Sequence, residues 1–121
     1  MSCPNLSFEI FPPASVTASF RLWEAMARLQ SFNPDYISVT YGAQGSTQGR
    51  TLDTVKAVSA QTGLPVAAHL TAARQSKADV LARAEEFAAA GVRDIVALRG
   101  DGDGPGQPFT PHPEGFASSL E

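Results

Sequence analysis

A chain of 121 residues, 43% hydrophobic and 17% charged, has the length and composition of one ordinary globular domain. A net charge of -3 without a basic tract argues against nucleic acid and anionic membrane as partners, and no apolar run approaches the roughly 18 residues of a membrane-spanning helix. The single cysteine, Cys3, permits no internal disulfide, and "MSCPNLSFEI" lacks the pattern of a signal peptide, so the cytoplasm is the expected compartment.

"LSFEIF" (Leu6–Phe11) reads as a short strand, ended by Pro12-Pro13. Ser15 to Ser31 reads as a helix with Phe20, Trp23 and Ala27 on one stripe and Leu22, Met26 and Leu29 beside it. Asn33-Pro34 breaks it. "DYISVT" (Asp35–Thr40) is a second strand. "RTLDTVKAVSAQTG" (Arg50–Gly63) is a second helix, with Leu52, Val55 and Val58 inward and Gly63 as its stop. "PVAAHL" (Pro65–Leu70) is a third strand. Ser76 to Ala90 is a third helix, with Ser76 as cap, Val80, Ala84 and Phe87 toward the core and Gly91 as its end. "DIVALRG" (Asp94–Gly100) is a fourth strand with its turn. "DGDGPGQPFTPHPEG" is too rich in Gly and Pro to hold a helix, and "FASSLE" is the expected opening of a fourth helix.

Strand–helix alternation implies parallel strands joined by crossover helices. Glu9, Thr40, His69 and Arg99 recur roughly every thirty residues, each near the carboxyl end of its strand. Ligands of open α/β sheets and of (β/α)8 barrels alike bind at that edge, so Glu9, Thr40–Tyr41, His69 and Arg99–Asp101 should converge there. Length favours a small open sheet of flavodoxin-like topology, since a full barrel needs about 250 residues. Against that, Phe11-Pro12-Pro13 is a poor phosphate cradle, because proline supplies no N–H.

Glu9 lies in an apolar stretch. If buried there, its carboxyl would suit a general acid; the alternative is a strand residue turned to solvent. Thr40 and Tyr41 are also plain β-formers, and His69 could be a hydrogen-bonded core residue. His112, the other histidine, lies in a Pro-rich loop, and no metal-ligand pattern surrounds either. "LRGD" (Leu98–Asp101) sets opposite charges around a glycine: Arg99 can hold an anion, and Asp101 can accept from a ring N–H. The run "SVTYGAQGS" (Ser38–Ser46) leaves a strand through small residues that let a backbone approach a flat ligand or another element.

Taken together, "SFEIFPP" (Ser7–Pro13), "SVTYGAQGS" with the following "RTL" (Ser38–Leu52), "TGLPVAAHLT" (Thr62–Thr71) and "GVRDIVALRGD" (Gly91–Asp101) resemble the methylenetetrahydrofolate reductase family in order and spacing. The resemblance implies a (β/α)8 barrel carrying FAD. The implied reaction reduces 5,10-methylenetetrahydrofolate to 5-methyltetrahydrofolate with NADH or NADPH, by hydride transfer through the flavin. It implies that Glu9 is the acid that helps open the folate's five-membered ring. It implies flavin contacts at Tyr41, Ala43, His69, Arg99, Gly100 and Asp101, and a further one at Ala117. Thr40 would lie where nicotinamide and folate stack, and Asp101 would also touch the folate and tune the flavin.

The chain departs from the family pattern in places. Ile10 stands where an aromatic is usual, Ala72 where cysteine is common, and Phe116 lacks a tyrosine hydroxyl. It holds about four of the eight units of a TIM barrel, so residues 1–121 would be an N-terminal half-barrel fragment. Such a fragment should leave an inner apolar face of Ile37, Val39, Val66 and Val96 uncovered, self-associate, and bind FAD poorly. The alternatives are a non-catalytic half-barrel that binds flavin or folate, and an unrelated flavodoxin-like module.

Overall fold

The computed structural model describes residues 4–41, 48–102 and 106–121. Four strands alternate with three helices: β1 (Ser7–Ile10), α1 (Val16–Leu29) with a 3-10 turn at Gln30–Phe32, β2 (Tyr36–Val39), α2 (Gln48–Thr62), β3 (Val66–Thr71), α3 (Lys77–Ala89) and β4 (Asp94–Leu98). Local chemistry sets the boundaries. The Ser15 hydroxyl accepts from the Ala18 N–H and starts α1. Ser76 and Asp79 form a reciprocal capping box at the start of α3. Gly63 and Gly91 follow α2 and α3 with φ of +66° and +90°, the left-handed stop that side chains resist.

All three strand pairs are parallel, and the order is β1-β2-β3-β4. A flavodoxin-like sheet reverses direction after its first crossover, placing β1 inside the sheet. Here each crossover moves one strand the same way. Right-handed connections then put every helix on one face, which is the winding of a barrel. The flavodoxin-like expectation is therefore overturned by the strand order.

The core lies between that sheet face and the helices. Ile10, Ile37, Val39, Val66, Ala68 and Leu70 meet Met26 of α1, Val55 and Val58 of α2 and Phe87 of α3. Ile37, Val39 and Val66 thus lie under the helices, which corrects the expectation that they line an uncovered inner face. Alternation and register instead give the inner face Ser7 and Glu9 from β1, Tyr36 and Ser38 from β2, Ala67, His69 and Thr71 from β3, and Asp94, Val96 and Leu98 from β4. That face is largely polar or small.

Two further expectations change. In α1 the buried stripe runs through Met26, flanked by Leu22, Trp23 and Leu29, while Phe20 is 69% exposed and Ala27 is exposed. Both stripes have helical spacing, and the helix rotation chose the second. Phe116–Leu120 forms bends and turns instead of a helix. A single turn meets the nucleation cost of a helix with almost no propagation to offset it. This segment is tied to α3 instead: the Lys77 N–H donates to the Glu114 carbonyl at 2.8 Å, and the Lys77 ammonium lies 5.0 Å above the Phe116 ring.

Candidate functional site

The carboxyl ends of the four strands form one rim. Glu9 is the next-to-last residue of β1, Thr40 follows β2, His69 lies near the end of β3, and Arg99, Gly100 and Asp101 follow β4. The Thr40 N–H donates to the Ile10 carbonyl at 3.0 Å, and its own carbonyl accepts from the Thr51 hydroxyl of α2, also at 3.0 Å. These bonds hold the end of β2 between β1 and the helix layer.

Glu9 and His69 meet across the inner face. His69 Nε2 lies 3.2 Å from Glu9 Oε1. Their burial differs sharply: the His69 side chain is 12% exposed and that of Glu9 is 53% exposed. The carboxyl is therefore not buried among Phe8, Ile10 and Phe11. Phe8 packs edge-to-face with Phe32, ring centroids 6.3 Å apart, and Ile10 lies in the core under the helices.

A cleft of about 240 Å³ opens at the ends of β2, β3 and β4, lined by Tyr41, Thr71, Ala73, Leu98, Arg99, Gly100 and Asp101. Its floor explains Gly100. The residue has φ of +93°, and a Cβ there would lie 2.5 Å from the Thr71 methyl and 2.6 Å from Ala73 Cβ. Only glycine lets the turn after β4 rest on the turn after β3. Arg99 stacks on Phe109, 4.4 Å from the ring centroid. Asp101 is exposed at the rim.

Tyr41 has a double placement. Its ring joins the hydrophobic core, while its hydroxyl points at Gln75 Oε1, 3.5 Å away. Burial raises its pKa above the ordinary 10.0, against the lowering effect of Gln75 and Arg83. Gln75, itself buried, donates through Nε2 to the Thr71 carbonyl at 2.6 Å and so ties the turn after β3 to Tyr41. Gln75 and Phe109 escape sequence reasoning. Gln75 sits in an unpatterned turn, and a cation–π partner ten residues from its arginine carries no spacing signal.

Ala43 lies outside the described residues. Ala117 lies away from the cleft, with its N–H 3.4 Å from the Glu121 carboxylate. The structure thus brings Tyr41, Arg99, Gly100 and Asp101 to one cleft and Glu9 with His69 to the adjoining face. Among the described residues no three metal-ligating side chains cluster, and no helix is long and apolar enough to cross a membrane.

A sequentially ordered, one-sided (β/α) half-barrel with an ionisable rim defines the class, and comparison with known proteins supplies the family. The methylenetetrahydrofolate reductase profile matches residues 2–121. The chain is 41% identical over 97 residues to the 5,10-methylenetetrahydrofolate reductase of Pectobacterium carotovorum, covering 80% of this chain and 33% of that protein. It is 40% identical over 116 residues to the enzyme of the same name from Salmonella typhimurium, covering 96% and 38%. A relative from Arabidopsis thaliana, methylenetetrahydrofolate reductase (NADH) 1, is 31% identical over 115 residues, covering 95% of this chain and 19% of that protein. The chain belongs to the methylenetetrahydrofolate reductase family, and it spans about a third of the length of the bacterial relatives it matches.

Proposed function

We propose that this chain is the N-terminal portion of a barrel that reduces 5,10-methylenetetrahydrofolate to 5-methyltetrahydrofolate with NAD(P)H, using FAD. The observation that carries the reading is the Glu9–His69 pair, on the inner face beside the Arg99-Gly100-Asp101 cleft. The names of the relatives support the substrate, and that of the plant relative supports a nicotinamide donor. A role in one-carbon metabolism follows from that substrate.

The residues of the cleft fit a flavin by their chemistry. They combine a guanidinium, a carboxylate, a hydroxyl and a glycine turn without a side chain in the way. At about 240 Å³ the cleft suits part of a ring system, so the remainder of the cofactor would rest on units that the relatives carry beyond this length. FAD, when bound, accepts a hydride from NAD(P)H and passes one to the folate. Tyr41, Arg99, Gly100 and Asp101 would hold its ring edge, with Asp101 opposing negative charge there. Thr40 would border the stacked nicotinamide or folate. Ala43 and Ala117 belong to the proposed contact set by family resemblance alone.

Glu9 would donate a proton to the folate ring nitrogen as the five-membered ring opens. Its carboxyl is half-exposed, with one oxygen beside His69. Glu9→Gln keeps the shape and removes the proton. In the complete barrel it should slow oxidation by methylenetetrahydrofolate by at least 100-fold and affect reduction by NAD(P)H far less, measured by stopped-flow absorbance. Equal losses in the two half-reactions would instead give Glu9 a structural role.

Self-association is part of the same proposal. β1 and β4 each have one hydrogen-bonding edge without a strand partner among the described residues, which favours pairing with another chain.

A further inference from the structure

We propose that His69 is a positioning residue for the Glu9 proton: it fixes one carboxyl oxygen and supplies the hydrogen bond that holds the charge once the proton has left. The identity of the proton's acceptor rests on the folate reading above; the pair itself does not.

The asymmetry of the pair carries the inference. β3 is bonded to β2 as far as Ala68 and to β4 through Thr71, with His69 paired to Val96, so its backbone has little freedom. Its imidazole is nearly buried, whereas Glu9 sits on an edge strand with a half-exposed side chain. An exposed glutamate samples many rotamers, and a fixed partner 3.2 Å from Oε1 selects one of them. The fixed group is thus the histidine, and the carboxyl is the group it aims.

With a proton on Nε2, His69 donates to Oε1 and Glu9 keeps its own proton on the free oxygen. When the proton passes to a ligand nitrogen, the carboxylate becomes acceptor-only and takes the Nε2–H at Oε1. Water on the open side then returns a proton to the pair. The other ionisable groups that alternation puts on this face are Tyr36 at the start of β2 and Asp94 at the start of β4, with Asp101 beyond its end. Tyr36 and Asp94 lie toward the opposite end of the strands, so no second carboxylate of β1–β4 shares the carboxyl end of the sheet with Glu9. Arg99 is engaged with Phe109.

Two measurements test the proposal. In the 121-residue chain, long-range 1H–15N correlation spectra should show the His69 Nε2 resonance hydrogen-bonded, moving by several ppm in Glu9→Ala, with His112 as an unmoved internal control. In the complete barrel, His69→Ala should slow the folate half-reaction at least ten-fold more than the nicotinamide half-reaction. His69→Ala added to Glu9→Gln should bring little further loss, since the proton it positions is already gone, and His69→Gln, which keeps an N–H donor, should recover much of the rate. An Nε2 signal indifferent to Glu9, or equal losses in both half-reactions with loss of FAD, would overturn the proposal in favour of a cofactor contact. A complete barrel showing neither half-reaction would overturn the folate reading, and the spectra of the short chain would still decide the pair.

Discussion

β2 and β3 differ from β4 in what covers them, not in how they are written. "YISV" and "VAAHLT" are no more apolar than "DIVAL". Yet Ile37 and Val39 are fully buried, while all five residues of β4 are exposed, Ile95 to 40%. Helices α1–α3 cover the first three strands, whereas β4 is followed by a loop and a set of turns. Strand formation needs only the ladder to β3; burial needs a further layer. A strand left open in this way offers its surface to a further layer.

The largest contrast should come from truncating the covered layer. Phe87 is fully buried in α3 against the sheet, so Phe87→Ala should cost about 3–5 kcal/mol. For a domain of marginal stability that means loss of the cooperative transition in urea. A mild effect would mean that the helix layer is loosely packed and the contrast with β4 is small.

Gly100 sharpens the comparison, because the end of the exposed strand is tightly seated. Gly100→Ala places a methyl against Thr71 and Ala73 in a left-handed conformation, at a cost of about 1–3 kcal/mol. The turn should lift off β3, visible as amide shifts confined to residues 71–75 and 98–102. Shifts spread through α1 and α2 would contradict this local seating.

Ser76→Ala should cost about 1 kcal/mol by removing the cap of α3, read from a thermal melt. The same cap has a pH signature. Hydrogen bonds from Ser76, side chain first and backbone second, lower the Asp79 pKa below its ordinary 3.8. A depressed carboxyl stabilises the fold above the unfolded value and loses that contribution as pH falls through the folded one. The wild type should therefore lose more stability than Ser76→Ala on acidification below about pH 4. Parallel acid curves for the two proteins would remove the capping box from the account. The smallest effect belongs to β4: Ile95→Ala should change stability by about 0.5 kcal/mol or less, as for an exposed site. A loss near that of Phe87→Ala would show the two regions to be equally packed.

Most of the architecture was legible in the sequence, because its signals are local. Ser15 and Ser76 announce helix starts, Gly63 and Gly91 announce ends, and each strand lies within a residue or two of its predicted span. Facing was not legible. Alternation says that Ile37 and Val39 share a side with each other, but not which side the helices cover. Likewise two stripes of α1 carry the same spacing, and only tertiary packing buried Met26 and left Phe20 outside. At the rim, the periodic recurrence of Glu9, Thr40, His69 and Arg99 anticipated their common edge. The approach of Glu9 to His69 depends on side-chain geometry across an intervening strand, and the Tyr41–Gln75–Thr71 link depends on a turn without sequence pattern.

The central claim is that residues 1–121 hold one part of a flavin site whose other part lies on units beyond β4. The most direct measurement is the absorbance spectrum and FAD dissociation constant of this chain alone and of the same chain fused to the remaining units of the Salmonella relative. The fusion should purify yellow with bound FAD and lose it with substitutions at Arg99 and Asp101, while the chain alone should bind FAD at least 100-fold more weakly. Equal, tight FAD binding by the short chain, or a folded fusion that stays colourless when FAD is added, would contradict the claim.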